Sequence, residues 1–340
     1  MKTNKYKLSE IYLLSRSLSL GLLFSYSFFL VGTSTLISFI FGILLGICFV
    51  FIYSKIKLNK KTKVFEILLY MFFILLSSII ITTFISSFFL NKTPKIFIIL
   101  PSILLCYYIS TKDKDVMKWL SLALTFFSII TIIFNFLALM PHMEIKNILP
   151  LFTFKNKNMI KSIFFYAILS SGPLILLNDE DYSTKDYISS YIITNIISLI
   201  ICFAIVSILG RSLINMYSYP EYKVLKKIQI SSFIENVENF ISLLWLFDLY
   251  YLTSYSIKKI NGILTTKIGT VLIFLITVID SFVINNNYEY LLYIYKRWIE
   301  SAKTERAYES FRSLRGVTAY SLQLLHDEGR LFYLRCASGR

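Results

Sequence analysis

Of 340 residues, 56% are hydrophobic and only 16% charged, and the mean hydropathy is +0.65, which is more apolar surface than a water-soluble core of this length can bury. The chain is therefore expected to be an integral membrane protein. Its net charge of +15 comes mainly from lysines between apolar runs, a pattern suited to anionic headgroups and topology setting; without a concentrated basic patch interleaved with aromatics, nucleic-acid binding is excluded.

A span needs about 20 apolar residues to cross the hydrocarbon. On that criterion nine spans are expected before residue 286, centred in Leu13 to Val31, Leu36 to Tyr53, Phe65 to Leu90, Ile96 to Ser110, Trp119 to Met140, Ile160 to Leu177, Tyr191 to Leu209, Phe233 to Tyr255 and Gly269 to Ile284. The fold class is all-α, a polytopic membrane helical bundle. No small-residue cleavage site follows the first apolar region, so no cleavable signal peptide is expected. Lys2, Lys5 and Lys7 precede the first span and five lysines between Lys55 and Lys63 follow the second, whereas the Gly32 to Thr35 turn between them has none. The N-terminus is thus expected in the cytoplasm. The acidic loop Asn178 to Asp186 obeys this rule poorly, so the first half of the chain decides.

Spans one and six differ from the rest. The first is loosened by Ser17, Ser19, Gly21, Ser25 and Ser27, and the sixth is broken by Ser170, Ser171, Gly172 and Pro173, where proline removes a donor and glycine weakens the helix. Their numbering is what an inverted repeat of five plus five helices produces, with broken helices meeting at the midplane to bind a ligand through freed backbone groups. These residues are also ordinary packing elements of membrane helices. Ser19, Gly21, Ser25, Ser170, Ser171, Gly172 and Pro173 are accordingly candidate ligand-binding positions, with close packing as the alternative.

Within Tyr219 to Phe247, Ser232 and Glu235 have the spacing of a capping box, and a helix is expected to start there and enter the membrane. Along it Glu238, Ser242 and Trp245 share a face, with Asp248 close to it. Asp248 and Asp280 lie inside spans, where an unpaired charge is costly. Glu238, Trp245 and Asp248 are the candidate signalling or coupling residues; alternatively, Asp248 pairs with tyrosine hydroxyls or a lysine to hold helices together. Asn135 and Asn195 are expected to form interhelical hydrogen bonds. The four cysteines, Cys48, Cys106, Cys202 and Cys336, have no paired spacing, so no metal site or disulfide framework is expected. His142 and His326 are the only histidines and there is no glycine-rich phosphate loop; neither an enzyme nor a cofactor is expected.

The stretch YPEYKVLKKIQISSFIENVENFISLLW resembles the loop and eighth-helix segment of the GerAB-type spore germination permeases, matching at Tyr219, Pro220, Ile228, Ile230, Phe233, Glu235, Glu238 and Trp245. Val31 to Tyr53 is similar to that family's second helix, and Ile148 to Pro173 to its approach to the sixth. The chain departs from the pattern at Asn236, where the family has arginine, and at Thr33 to Leu36, where it has a charged, tryptophan-containing segment. The resemblance implies ten spans in two inverted repeats, as in amino acid, polyamine and organocation transporters. It also implies a germinant-receptor subunit in the inner membrane of the spore. A small germinant, such as an amino acid, would sit at the midplane, and the signal would pass to an A-type membrane subunit and a C-type lipoprotein. A secondary amino-acid transporter is the alternative, and a membrane polysaccharide polymerase a remoter one.

After about residue 299 the composition changes. Six of the nine arginines lie beyond residue 300, together with a single lysine and no isoleucine or asparagine. Residues 1–299 are therefore expected to form the permease-like domain. Residues 300–340 have no apolar run able to make a tenth span; they are expected to be a foreign tail joined on by a frameshift or fusion near residue 300, with a soluble helical tail as the alternative.

Overall fold

The computed structural model describes residues 2–55, 63–90, 92–149, 156–178, 182–214, 217, 219–228, 237–264, 269–271, 273 and 275–278. The capping box at Ser232 and Glu235, Asp280, and the boundary at residues 299–300 lie outside them. The described residues form an all-α bundle with no strand, as lipid demands, since a helix satisfies its backbone polar groups within itself.

The first expected span is not one helix but three pieces. Helix α1 (Lys2–Ser17) passes into a π-helical turn (Ser19–Leu23) and then α2 (Phe24–Val31), with a 3-10 turn (Gly32–Ser34) leading to α3 (Thr35–Lys55). Thr35 Oγ1 donates to the Gly32 carbonyl (2.6 Å) and closes that tight turn. The next spans are α4 (Lys63–Phe88), α5 (Ile96–Ser110) and α6 (Lys114–Leu139). Helix α7 (Asn156–Ser171) stops at the expected Ser-Ser-Gly-Pro sequence and continues as a 3-10 helix (Gly172–Leu177). Helix α8 (Thr184–Ile214) begins with a capping box the sequence reading did not assign: the Ser183 N–H donates to the Asp186 carboxylate (3.2 Å) and the Asp186 N–H to Ser183 Oγ (3.1 Å). It is interrupted near its end at Gly210, with φ 63°. The short α9 (Pro220–Leu225) then leads to α10 (Val237–Ile263).

Five of these helical runs are long and apolar enough to cross a membrane, while Ile96–Ser110 and Gly269–Val278 are shorter apolar helices. Large side chains such as Phe97, Trp119 and Leu137 stand exposed on the outer faces, where lipid tails replace water as the solvent. Helices five spans apart are neighbours: α3 packs on α8, α4 on α10, and α1 and α2 on the sixth span, α7 with its 3-10 extension.

Because lipid tails are as apolar as leucine, hydrophobicity does not hold these helices to one another. Hydroxyl pairs and close approach do. Ser9 pairs with Ser121 (2.9 Å) and Tyr12 with Ser128 (2.9 Å) between α1 and α6. Ser38 pairs with Ser162 (2.9 Å) between α3 and α7, and Ser77 with Thr253 (2.7 Å) between α4 and α10. Each such bond contributes on the order of 0.6 kcal/mol. Gly42 and Gly46 let α3 approach so closely that a Cβ would press on the Tyr166 ring at one and overlap the Tyr191 hydroxyl at the other. Replacing Gly46 with alanine is therefore expected to destabilise the bundle by about 1–3 kcal/mol, seen as a lower thermal midpoint in detergent. Adding Tyr191→Phe, which removes the obstructing oxygen, should recover part of that loss; a double variant no better than the single one would rule out this overlap as the cause.

Candidate functional site

The break in span one sits against span eight. Gly21 has φ +78°, a region that L side chains rarely adopt. A Cβ there would lie 2.7 Å from the Trp245 ring and 3.4 Å from that of Tyr219. Glycine is thus required twice, by its backbone angle and by the indole against it. Trp245 is at the centre of an aromatic group: its ring lies 4.8 Å from Phe84, edge to face, and Phe84 lies 5.7 Å from Tyr222 and 5.2 Å from Tyr219. The Tyr219 hydroxyl is held by Thr83 (2.9 Å).

One turn along α10 from Trp245 is Asp248, buried at 1% exposure. Its partner is neither lysine nor tyrosine, as the sequence alternatives had it, but Arg16 at 3.4 Å. An arginine answers the charge because its long stem reaches across from α1, while the Arg16 guanidinium also donates to Tyr12 Oη (2.8 Å). A third contact extends the alignment: Tyr251 donates to Glu10 (3.4 Å), which also accepts from Tyr182. Glu10 with Tyr251, Arg16 with Asp248, and Gly21 with Trp245 run in opposite directions along the two elements, so spans one and eight are antiparallel and fixed in register.

Beside this seam lies a cavity of about 100 Å³ bordered by α1, α6, α8, α9 and α10, whose polar lining includes Arg16, Asn135, Glu221 and Trp245. This is enough for several waters or one small organic molecule. Five of the polar atoms around it are buried without a hydrogen-bond partner of good geometry: Asn135 Oδ1, both Glu221 carboxylate oxygens, Arg16 Nε and Trp245 Nε1. Burial pushes the Glu221 carboxyl up to about 7, an effect tempered by the backbone N–H groups of Glu221 itself and of Gly21.

The expected site residues fall into two groups. Trp245 and Ser242 line the cavity, Asp248 holds Arg16 at its edge, and Glu238 is buried in the first turn of α10. Gly21 touches the indole, Ser19 donates to the Ser15 carbonyl (3.1 Å) on the break, and Ser25 is half-buried on α2. The span-six residues are elsewhere. Ser170 bonds Tyr191 (2.7 Å) and the Tyr166 carbonyl, Ser171 donates to the Ala167 carbonyl (2.6 Å), and Gly172 and Pro173 are buried, Gly172 beside Phe73. None of these four lines the cavity. Asn195 joins helices as expected, accepting from Tyr166 Oη (2.6 Å) and donating to the Tyr191 carbonyl within its own helix, whereas Asn135 faces the cavity. Arg16 and Glu221 were not among the expected site residues. Among the described residues no cluster of three or more His, Cys, Asp or Glu could hold a metal ion.

Removing Asp248 strands a buried guanidinium. Asp248→Ala is expected to cost about 3–5 kcal/mol, read as loss of thermal stability in detergent, and adding Arg16→Met should restore at least half of it. Glu221 gives a pH dependence of known sign. The folded protein keeps this proton up to about pH 7, whereas an unperturbed carboxyl loses it near 4.5. Stability should therefore be greatest in acid and fall as pH rises through that window. A thermal midpoint followed from pH 5 to pH 8 should decline less steeply in Glu221→Gln than in the parent.

No curated protein matches the chain. A family model described as spore germination protein matches residues 26–289, more than three quarters of the sequence, from the start of α2 to beyond the last described helix. Seam, cavity and spans together therefore belong to an all-α membrane protein of the spore germination permease family.

Proposed function

We propose that the protein is a membrane subunit of a spore germinant receptor, in the inner membrane of the spore with its N-terminus in the cytoplasm, and that it senses a small nutrient molecule without chemical turnover. The observation that carries this reading is the break at Gly21. It is packed against Trp245 and opens beside a cavity with several unanswered polar atoms, an arrangement built to receive something small. Family membership supplies the context of germination. The reading also includes an A-type membrane subunit and a C-type lipoprotein as receivers of the signal, on the strength of the resemblance in Tyr219 to Trp245. A ligand acts here only through its different affinity for two arrangements of the bundle, and the unwound turn in span one is the natural element to have two.

Secondary transport is the second reading, favoured by the broken helix in span one and by Asp248 within a span. It predicts ion-dependent uptake into proteoliposomes, which sensing alone does not require.

Deleting the gene is expected to slow germination toward at least one small nutrient by tenfold or more, scored by loss of optical density in spores across a nutrient panel. Trp245→Ala, checked for normal abundance in the spore membrane, should reproduce the defect. Deletion spores that respond normally to every nutrient, with other germination receptors also removed, would overturn the sensing role.

A further inference from the structure

Three features of the cavity concern charge, and together they restrict what it can hold. The first is an imbalance of acceptors. Both Glu221 carboxylate oxygens and Asn135 Oδ1 are buried and accept no hydrogen bond of good geometry, the backbone N–H groups of Glu221 and Gly21 lying near the carboxyl without closing one, and both residues line the cavity. Buried acceptors in this number call for a donor with several hydrogens. Secondly, Arg16 cannot be that donor's charge, because its guanidinium is committed to Asp248 at 3.4 Å and to Tyr12 at 2.8 Å. The Arg16–Asp248 pair is neutral as a unit, which leaves Glu221 as the carboxyl on the wall without a counter-charge, one that ionises when a cation comes to lie beside it. The cations on α9 and just after it point to rings or to backbone: Lys223 lies over Tyr217, Lys226 over Tyr222, and Lys227 reaches the Ile208 carbonyl. Thirdly, the remaining wall is aromatic and aliphatic. Phe84, Tyr222 and Trp245 present ring surface, which attracts a cation through its quadrupole and covers an alkyl body equally well.

A ligand carboxylate fits poorly. In a space of about 100 Å³ it would lie within a few ångströms of the Glu221 carboxyl, and two carboxyls so close in a low-dielectric wall cannot both ionise. Glu221 also approaches the backbone N–H of Gly21, one of the groups freed by the break in span one. The chain thus already supplies a carboxylate beside the broken helix, where such half-helices otherwise meet an anionic group of their ligand.

We propose that this cavity binds a small organic ammonium that carries no carboxylate, with Glu221 as its counter-charge and Asn135 Oδ1 as a second acceptor. The ammonium donates to both residues and its alkyl part lies against Phe84, Tyr222 and Trp245. The two remaining donors, Arg16 Nε and Trp245 Nε1, are answered by water or by a hydroxyl on the ligand. This deepens the sensing role by naming the ligand class and rests on that role for its biological purpose; the site itself is tested without spores.

The probe is n-propylammonium, titrated into purified full-length protein in detergent and followed by calorimetry and by the thermal midpoint. Saturable binding is expected, with Glu221→Gln weakening it by at least about tenfold, as loss of a charge-assisted bond does, and Asn135→Leu weakening it several-fold. Neutral 1-propanol should not bind. Alanine binding as tightly as n-propylammonium overturns the exclusion of a carboxylate, and potassium chloride stabilising the protein equally overturns the organic cation. Unchanged affinity in Glu221→Gln overturns the counter-charge, and if that variant does not fold, unchanged affinity in Asn135→Leu overturns the site. Spores indifferent to n-propylammonium, from protein that binds it when purified, support the site and count against the sensing role alone.

Discussion

The ion pair between Arg16 and Asp248 is the constraint on which the rest of this bundle depends. Two charges deep among helices have no water to turn to, and each is tolerable only while the other is within reach. Span one must therefore lie along span eight at one register, because a shift of a single turn separates the charges by about 5.4 Å. Gly21 meets Trp245 as a consequence of that register, five residues further along one chain and three residues back along the other. The Glu10 contact to Tyr251 extends the same alignment in the opposite direction. Such a pair is weak evidence for stability, since apolar residues of equal size can pack as well. Its contribution is to specify one arrangement among several that lipid would accept.

With span one held at Arg16, its unwinding just afterward becomes intelligible. At the observed positive φ a Cβ on residue 21 would strike the indole, whereas glycine lets the unwound turn pass against it. The break in span six is built differently. There the hydroxyls of Ser170 and Ser171 bond back to carbonyls one turn earlier, and Tyr191 bonds Ser170, so the side-chain hydroxyls at this break all have partners. Of the two breaks, span one's is the one beside a cavity with unanswered atoms. The packing of α3 on α8 and of α4 on α10 is what a five-plus-five repeat would produce, yet the chemistry of the two breaks differs.

Much of the fold was legible because lipid leaves few choices. Long apolar runs became helices, and small residues in spans one and six became the breaks at residues 19–23 and 172–177. Asp248 stood out as a charge within a span, though its partner did not. Arg16 lies at the edge of the first apolar run, close after three lysines, where a positive charge reads as topology setting; only the three-dimensional approach of α10 shows it turned inward. Glu221 was hidden similarly, since a carboxylate after Pro220 in a lysine-bearing loop looks solvated. The clue in the sequence is the apolar Pro220, Tyr222 and Val224 around it, all of which are buried in α9. Gly210 gave no signal beyond being a glycine in a helix, and the capping box at Ser183 and Asp186 was masked by the acidic loop around it.

Helix α9 has mechanical consequences because of what it joins. It connects spans seven and eight, and its contacts reach α2 and the unwound turn of span one. A molecule held by Glu221, as proposed, would therefore bear on three spans through one short element. Displacing α9 would also free Trp245, whose ring is pinned between Gly21 and Phe84. Since the ion pair fixes register one turn away, the movement open to the seam is a change at the unwound residues rather than a slide of whole helices. Interior packing favours such discrete alternatives over continuous deformation, which is the property a sensor of small molecules needs.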